Sequence, residues 1–251
     1  MTNYPQTEFR PRVVEPIECI KGGWNLVKDQ YWLFVGICAV AMIIGGAVPL
    51  GILMGPMMCG IFLTLFTKRR GQPIDFNLLF KGFDYFGQSV IAALLHIIPI
   101  TAVIVCAYIF MYVGMFAAMF ATAAAGQDAA PIAGIGFVLL FLLFYCVILL
   151  VVIVISIGFT FAYPLIVDRN LQGFDAVKLS FRAAFSNFWR LLGLNLLGGL
   201  LSIGGVLLCY VGIFLVFPIT LAAAAIAYEQ VFGLSNPNEF RSNLPPPPPT
   251  F

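Results

Sequence analysis

Four long apolar runs, at about 31–67, 88–125, 132–167 and 191–228, alternate with short polar stretches. As one helix at about 1.5 Å per residue, each run would be about 55 Å long, nearly twice a hydrocarbon core of about 30 Å. The first run is interrupted by GGAVPLGILMGP (45–56) and the last by GGVLLCYVG (204–212), with Pro218 beyond. Each therefore predicts two short crossings joined by a tight turn. The middle runs are divided by GQDAAP (126–131) and predict a hairpin with longer arms. The polar stretches are patterned too. In FDAVKLSFRAAFSNFW, Phe174, Val177, Phe181, Phe185 and Phe188 recur at helical spacing, with Asp175, Lys178, Arg182 and Asn187 opposite. Ile17, Ile20, Trp24, Val27 and Tyr31 form the same stripe, with Glu18, Lys21, Asn25 and Lys28 opposite. Phe76, Leu79, Phe80 and Phe83 form a shorter one. Helices of this kind lie in the membrane interface, apolar face among acyl chains and basic residues at the headgroups.

The pattern predicts an all-α integral membrane protein: six transmembrane helices as three hairpins, each preceded by a cytoplasmic amphipathic interfacial helix. The crossings fall at about 31–49, 52–68, 88–112, 133–166, 191–210 and 212–230, and the interfacial helices at about 14–30, 75–86 and 173–190. Residues 1–13 form an N-terminal extension, 14–233 the membrane domain and 234–251 a disordered proline-rich tail. The tail reads either as a docking peptide for a proline-binding partner or as a plain disordered end. Internal repetition is visible at an offset of 157, which pairs Glu18 with Asp175, Lys21 with Lys178, Trp24 with Phe181, Trp32 with Trp189 and Gly36 with Gly193. An offset of 162 pairs Pro56 with Pro218 and Gly71 with Gly233, and one of 100 pairs Arg69 with Arg169 and Leu79 with Leu179. Duplication would produce this, and so would the need for any such linker to be amphipathic.

Composition removes the soluble alternative. The 251 residues are 61% hydrophobic and 10% charged, against about 45–50% and about 25% in ordinary soluble domains. Placement of charge then fixes an expected orientation. The basic residues fall at Arg10 to Lys28, at Lys68 to Lys81, at Arg169 to Arg190, and at Arg241. Six crossings put all four groups on one side and leave only Asp128 in the opposite turns. By the positive-inside rule both termini are cytoplasmic, in a multi-pass protein of the bacterial cytoplasmic (inner) membrane. The first residues lack the apolar core of a cleavable signal, so the first run is expected to direct insertion.

The chemistry is sparse. The six cysteines are scattered, without a CxxC pair, so no metal and no cofactor is expected. The cores of the crossings hold no Asp, Glu, Lys or Arg, which argues against carboxylate-driven ion antiport. HExxH, GxSxG and phosphate-loop motifs are missing, and an enzyme is not expected. Asp75, Asp84, Asp168 and Asp175 read as helix N-terminal or solvated carboxylates. His96, Thr160, Tyr163 and Asn195 fall at similar depth and form a candidate polar cluster. It reads either as a binding or permeation site or as a histidine tying helices together. Candidate lipid-headgroup contacts are Lys21, Lys28, Arg69, Arg70, Lys178, Arg182 and Arg190. Gly51 with Gly55, and Gly198 with Ser202, have the small-xxx-small spacing of close helix packing. The expected partners are anionic membrane lipids and a second copy or another membrane subunit, with no nucleic acid. The function expected is a non-catalytic lipid-interacting or assembly module, the alternative being a facilitator or transporter subunit for a small or lipidic solute.

Two segments carry a family resemblance: GPMMCGIFLTLFTKRRGQPIDFNLLFKGF (55–83), and the stretch from DAVKLSFRAAFSNFWRLLGLNLL to FPITLAAAAIAYEQVFG (175–233). They resemble bacterial polytopic membrane proteins of unassigned function, related to the membrane domain attached to some glycerophosphoryl diester phosphodiesterases. The resemblance covers most of 14–233. It implies a six-helix membrane unit with amphipathic cytoplasmic helices. It implies no catalytic residues here, since the phosphodiesterase chemistry belongs to a separate barrel domain.

Overall fold

The computed structural model describes residues 9–47, 51–207 and 211–235. Most of the expected N-terminal extension and of the proline-rich tail therefore lies outside the described residues. Eight α-helices follow one another: α1 (Pro16–Val27), α2 (Tyr31–Ala47), α3 (Met54–Arg69), α4 (Phe86–Phe159), α5 (Ala162–Arg169), α6 (Gly173–Ser186), α7 (Phe188–Leu207) and α8 (Val211–Phe232). A 3-10 helix occupies Phe76–Tyr85, and the described residues contain no strand. Among the described residues, five helical stretches are long and apolar enough to cross a membrane: Pro16–Ala47, Phe76–Phe120, Ile135–Arg169, Phe188–Gly205 and Phe214–Phe232. The crossing expected at 52–68 is not among them. Its helix, α3, has 16 residues and is buried in protein along almost its whole length.

The chain divides into two compact units, Leu95–Ser156 and the remainder. In the first, helix α4 doubles back on itself. The Phe110 and Phe144 rings stack with centroids 3.9 Å apart, and a Cβ on Gly114 would lie 3.1 Å from Phe137. In one straight helix, residues so far apart would be separated by about 50 Å. The reversal lies between residues 114 and 137, the region in which GQDAAP predicts a hairpin.

The other unit is organised as a cycle of three contacts. Helix α1 packs along α8, the 3-10 helix along α3, and α6 along α5. In chain order, each of these short amphipathic segments lies on the second helix of the hairpin before it, and the first lies on the last. The contacts bring backbones together. A Cβ on Gly23 of α1 would meet the Ala223 nitrogen at 2.7 Å and the Ile219 carbonyl oxygen at 3.0 Å in α8. A Cβ on Gly82 would strike the Pro56 carbonyl, and one on Gly60 the Leu79 carbonyl. From α6, the Ser180 hydroxyl donates to the Gly158 carbonyl at 2.6 Å and accepts from the Phe161 amide at 3.1 Å.

Three boundaries differ from expectation, each for a local reason. Residues 75–86 are expected to form an ordinary amphipathic helix, but wind as a 3-10 helix. Its buried residues are Leu79, Gly82 and Tyr85, spaced by three, and at three residues per turn they make one straight stripe against α3. The crossing expected at 133–166 is broken at 160–161. Ser180 satisfies the backbone groups freed there, and Pro164 supplies no amide for a continuous helix. The interfacial helix expected to reach 190 stops at Ser186, because Asn187 turns its amide back onto Ala183 and Ser186.

Helices α1 and α2 are repeated structurally by α6 and α7. The first two begin at 16 and 31 and the second two at 173 and 188, each pair offset by 157. The buried positions match at the same offset: Cys19 with Ala176, Gly23 with Ser180, Val27 with Ala184, Phe34 with Leu191, Ile37 with Leu194, and Ala41 with Gly198. An amphipathic linker alone dictates no such agreement of inward faces. Helices α3, α5 and α8 also end alike, in a left-handed residue: Gly71 (φ +71), Asn170 (φ 50) and Gly233 (φ +69).

Candidate functional site

The amphipathic helices are inverted relative to soluble ones. Helix α6 buries a face of mostly small residues, Gly173, Ala176, Ser180, Ala183 and Ala184 with Leu179, and leaves Phe174, Phe185 and the following Trp189 outside. Helix α1 buries Cys19, Gly23 and Val27 and exposes Ile17 and Trp24. Val27, read as part of the lipid-facing stripe, belongs to the inward face. Trp32 and Trp189, equivalent in the two repeats, are 76% and 79% exposed. Large apolar groups this exposed are unfavourable in water and suited to the membrane interface, where tryptophan is enriched. Lys21, Lys28, Lys178 and Arg182 are exposed on the same helices or next to them. The result is a surface of aromatic groups and cations that the fold itself leaves uncovered.

The remaining expected headgroup contacts are placed differently. Arg190 is exposed and gives one Nη to the Val14 carbonyl at 3.1 Å. Arg69 forms a two-pronged pair with Glu229, at 2.8 and 3.1 Å. That hydrogen bond, followed by the attraction of the carboxylate, raises the Arg69 guanidinium above its ordinary range against the opposing effect of burial. Arg70 turns inward, its side chain 6% exposed, and binds Asp168 at 2.6 Å.

Asp168 departs most from the reading of its sequence. It is buried at the end of α5, neither solvated nor N-terminal. Its Oδ1 accepts from Arg70 at 2.6 Å and from the Ser235 hydroxyl at 2.8 Å. Its Oδ2 accepts from the Tyr228 hydroxyl at 3.0 Å and from the Ser235 amide at 3.1 Å. Four donors fill the lone pairs a carboxylate offers, so this group holds the ends of α3, α5 and α8 together and is poorly placed to move protons. Nearby, Arg169 donates to the Phe232 carbonyl at 2.8 Å and lies over that ring at 5.2 Å. The partners of Asp168 stand 98 and 60 residues away in sequence. The one local hint is that Asp168 continues an apolar run without a break.

The candidate polar cluster is divided between the two units. His96 lies half-buried in Leu95–Ser156, and Thr160, Tyr163 and Asn195 lie in the other unit. Tyr163 is buried, whereas Asn195 is exposed and donates to Leu191 in its own helix at 2.9 Å. Thr64, Thr67, Ser202 and Thr220 likewise donate to carbonyls one turn back, on Gly60, Leu63, Gly198 and Phe217. The polar groups along these helices are largely satisfied locally. Among the proposed packing residues, Gly55 lies against the Ser89 carbonyl, Gly51 occupies the turn before α3 with φ +60, and Gly198 faces the Thr220 methyl at 3.4 Å. Ser202 bonds within its own helix.

Among the described residues no three metal-ligating side chains gather. Comparison with family models, curated proteins and solved structures gives no match. The geometry of the surface and its repetition therefore carry the functional reading.

Proposed function

We propose that this chain is a non-catalytic, multi-pass protein of the bacterial cytoplasmic membrane that engages anionic lipid, as a lipid-interacting or assembly module. The observation that carries this reading is the outward surface of large apolar and basic side chains at matching positions of the two repeats, Ile17 with Phe174, Lys21 with Lys178 and Trp32 with Trp189, all exposed. Under this reading the chain makes six crossings with both termini cytoplasmic. The meeting of α3, α5 and α8 at one carboxylate supports a common side for the polar linkers that follow them. The resemblance to the membrane domain of glycerophosphoryl diester phosphodiesterases agrees with a membrane unit that leaves chemistry to other domains.

The test is lipid selection. The full chain is placed in nanodiscs of mixed phosphatidylglycerol and phosphatidylcholine, and the lipid it retains is read by native mass spectrometry. Each basic residue near an anionic surface contributes about 1 kcal/mol, about fivefold in occupancy. K21Q/K178Q should therefore cut the enrichment of phosphatidylglycerol about 30-fold at most. Unchanged enrichment removes this reading. Solute flux that depends on His96 would install the facilitator in its place.

A further inference from the structure

Two of the three seams in the cycle are continuous chain: residues 71–75 lead from α3 into the 3-10 helix, and 170–172 lead from α5 into α6. The third, between α8 and α1, is closed by the segment preceding α1. The Arg10 amide donates to the Val231 carbonyl at 2.8 Å, the Val13 amide to Asn187 Oδ1 at 3.1 Å, and the Glu15 amide to Gln230 Oε1 at 2.9 Å. Arg190 reaches the Val14 carbonyl at 3.1 Å. These backbone bonds, with Val14 buried beneath them, fix the segment while its charged side chains stay outside. Arg10, Arg12 and Arg190 are all exposed, Trp189 adjoins Arg190, and Arg182 lies on α6 just before the junction. The acidic residues of this segment and of the helix it leads into are Glu15 and Glu18, both exposed.

Arg12 has φ 58 and, with Asn170, is one of two non-glycine residues of positive φ among the described residues. Asparagine tolerates that conformation and commonly ends helices in it, whereas arginine is strained there and glycine would not be. Among the described residues nothing accepts a hydrogen bond from its guanidinium, and the side chain is exposed. A charge kept at a strained, exposed position is suited to a ligand outside the fold.

We propose that this seam is a discrete site for the phosphate headgroup of an anionic phospholipid. Guanidinium groups match phosphate oxygens in paired hydrogen bonds, and Trp189 would occupy the boundary between headgroup and acyl chain. The proposal rests on the lipid-binding reading above and adds a single, saturable site to the diffuse attraction of α1 and α6.

The decisive variant is Arg12→Gly, which removes the charge and relieves the strain together. Full-length wild type, R12G, R12K and K21Q/K178Q are washed with detergent, and tightly held phosphatidylglycerol and phosphatidylcholine are counted by native mass spectrometry beside thermal unfolding. Wild type should keep one phosphatidylglycerol, and R12K should hold it more weakly than wild type but more tightly than R12G. R12G should lose it by about tenfold while melting at or above the wild-type temperature. R12G with undiminished lipid, R12G that loses lipid only by losing its fold, or equal retention of phosphatidylcholine overturns the site. Displacement by millimolar inorganic phosphate that then stays bound overturns it in favour of a free anion. If K21Q/K178Q lowers lipid and R12G does not, the seam site falls and the general reading stands; if neither does, both fall.

Discussion

A glycine is least replaceable where a second backbone occupies the place of its side chain. Gly82 and Gly60 meet in this way, the 3-10 helix lying directly on α3. Gly82→Ala should cost about 3 kcal/mol, because the obstacle is a carbonyl that cannot swing aside. Gly36→Ala, with nothing within 4 Å, should stay within about 0.5 kcal/mol. Thermal unfolding of the two variants in the same detergent checks the contrast, and equal melting temperatures would show that the backbones do not touch. The small-xxx-small pattern picked out Gly55 and Gly198, which do pack, but missed Gly23, Gly60 and Gly82. Its spacing describes two crossing α-helices, and a 3-10 helix laid along α3 follows a different period. Asp168 was equally hidden, since nothing local in the sequence distinguishes a buried carboxylate from a solvated one at a helix end. Asp168→Asn weakens the acceptor for a buried guanidinium and should cost about 3–5 kcal/mol, read as a lower midpoint of unfolding. Replacing Arg70 by Met in that background should recover part of the loss, because the stranded charge goes with it.

The elements were readable wherever one face differed from the other. Periodicity places α1 and α6 within a few residues of where they lie, and the interruptions at Gly45–Pro56 and Gly204–Gly212 fall between α2 and α3 and between α7 and α8, with residues 48–50 and 208–210 outside the described residues. What periodicity could not show is which face turns inward. Hydrophobicity defines the stripes, while the fold buries mostly small residues and leaves Trp24, Phe174, Phe185 and Trp189 outside, an arrangement that follows from lipid taking the place of water. The break at 160–161 was invisible for a related reason: every residue around it is apolar or small, and the group that stabilises it, Ser180, sits on the next helix. Ser180→Ala should leave the Gly158 carbonyl and the Phe161 amide buried without their partner, at a cost of about 1–3 kcal/mol. Hydrogen exchange should then speed up first at Phe161. Exchange that stays slow there would mean the break holds itself open without the hydroxyl.

At the scale of the molecule, order along the chain and order in space are related by a cycle, and only repetition hinted at it. Offsets of 157, 162 and 100 each aligned a few residues, too few to separate duplication from the shared demands of a linker. Agreement of helix starts and buried faces establishes the structural repeat of α1–α2 in α6–α7, but closure of α1 on α8 is a long-range contact that no offset contains. Closure has a mechanical consequence. If the three seams are equivalent, the chain ends can be moved from one to another. The first and last described segments are close, since the rings of Phe9 and Phe232 lie 6.3 Å apart, and such proximity favours permutation. A permuted chain opened between Pro73 and Ile74 and joined through residues 236–251 and 1–8 should insert and melt within about 4 °C of the wild type, which corresponds to about 1 kcal/mol for a chain of this size. A chain opened at Phe161, where the backbone is buried and bonded to Ser180, should not fold. The pair separates two accounts of the fold. If contacts alone hold the cycle, the first permutant survives and the second fails. If the order in which hairpins enter the membrane is what seats α1 on α8, both fail, and the cycle records a history of insertion more than an equilibrium of packing.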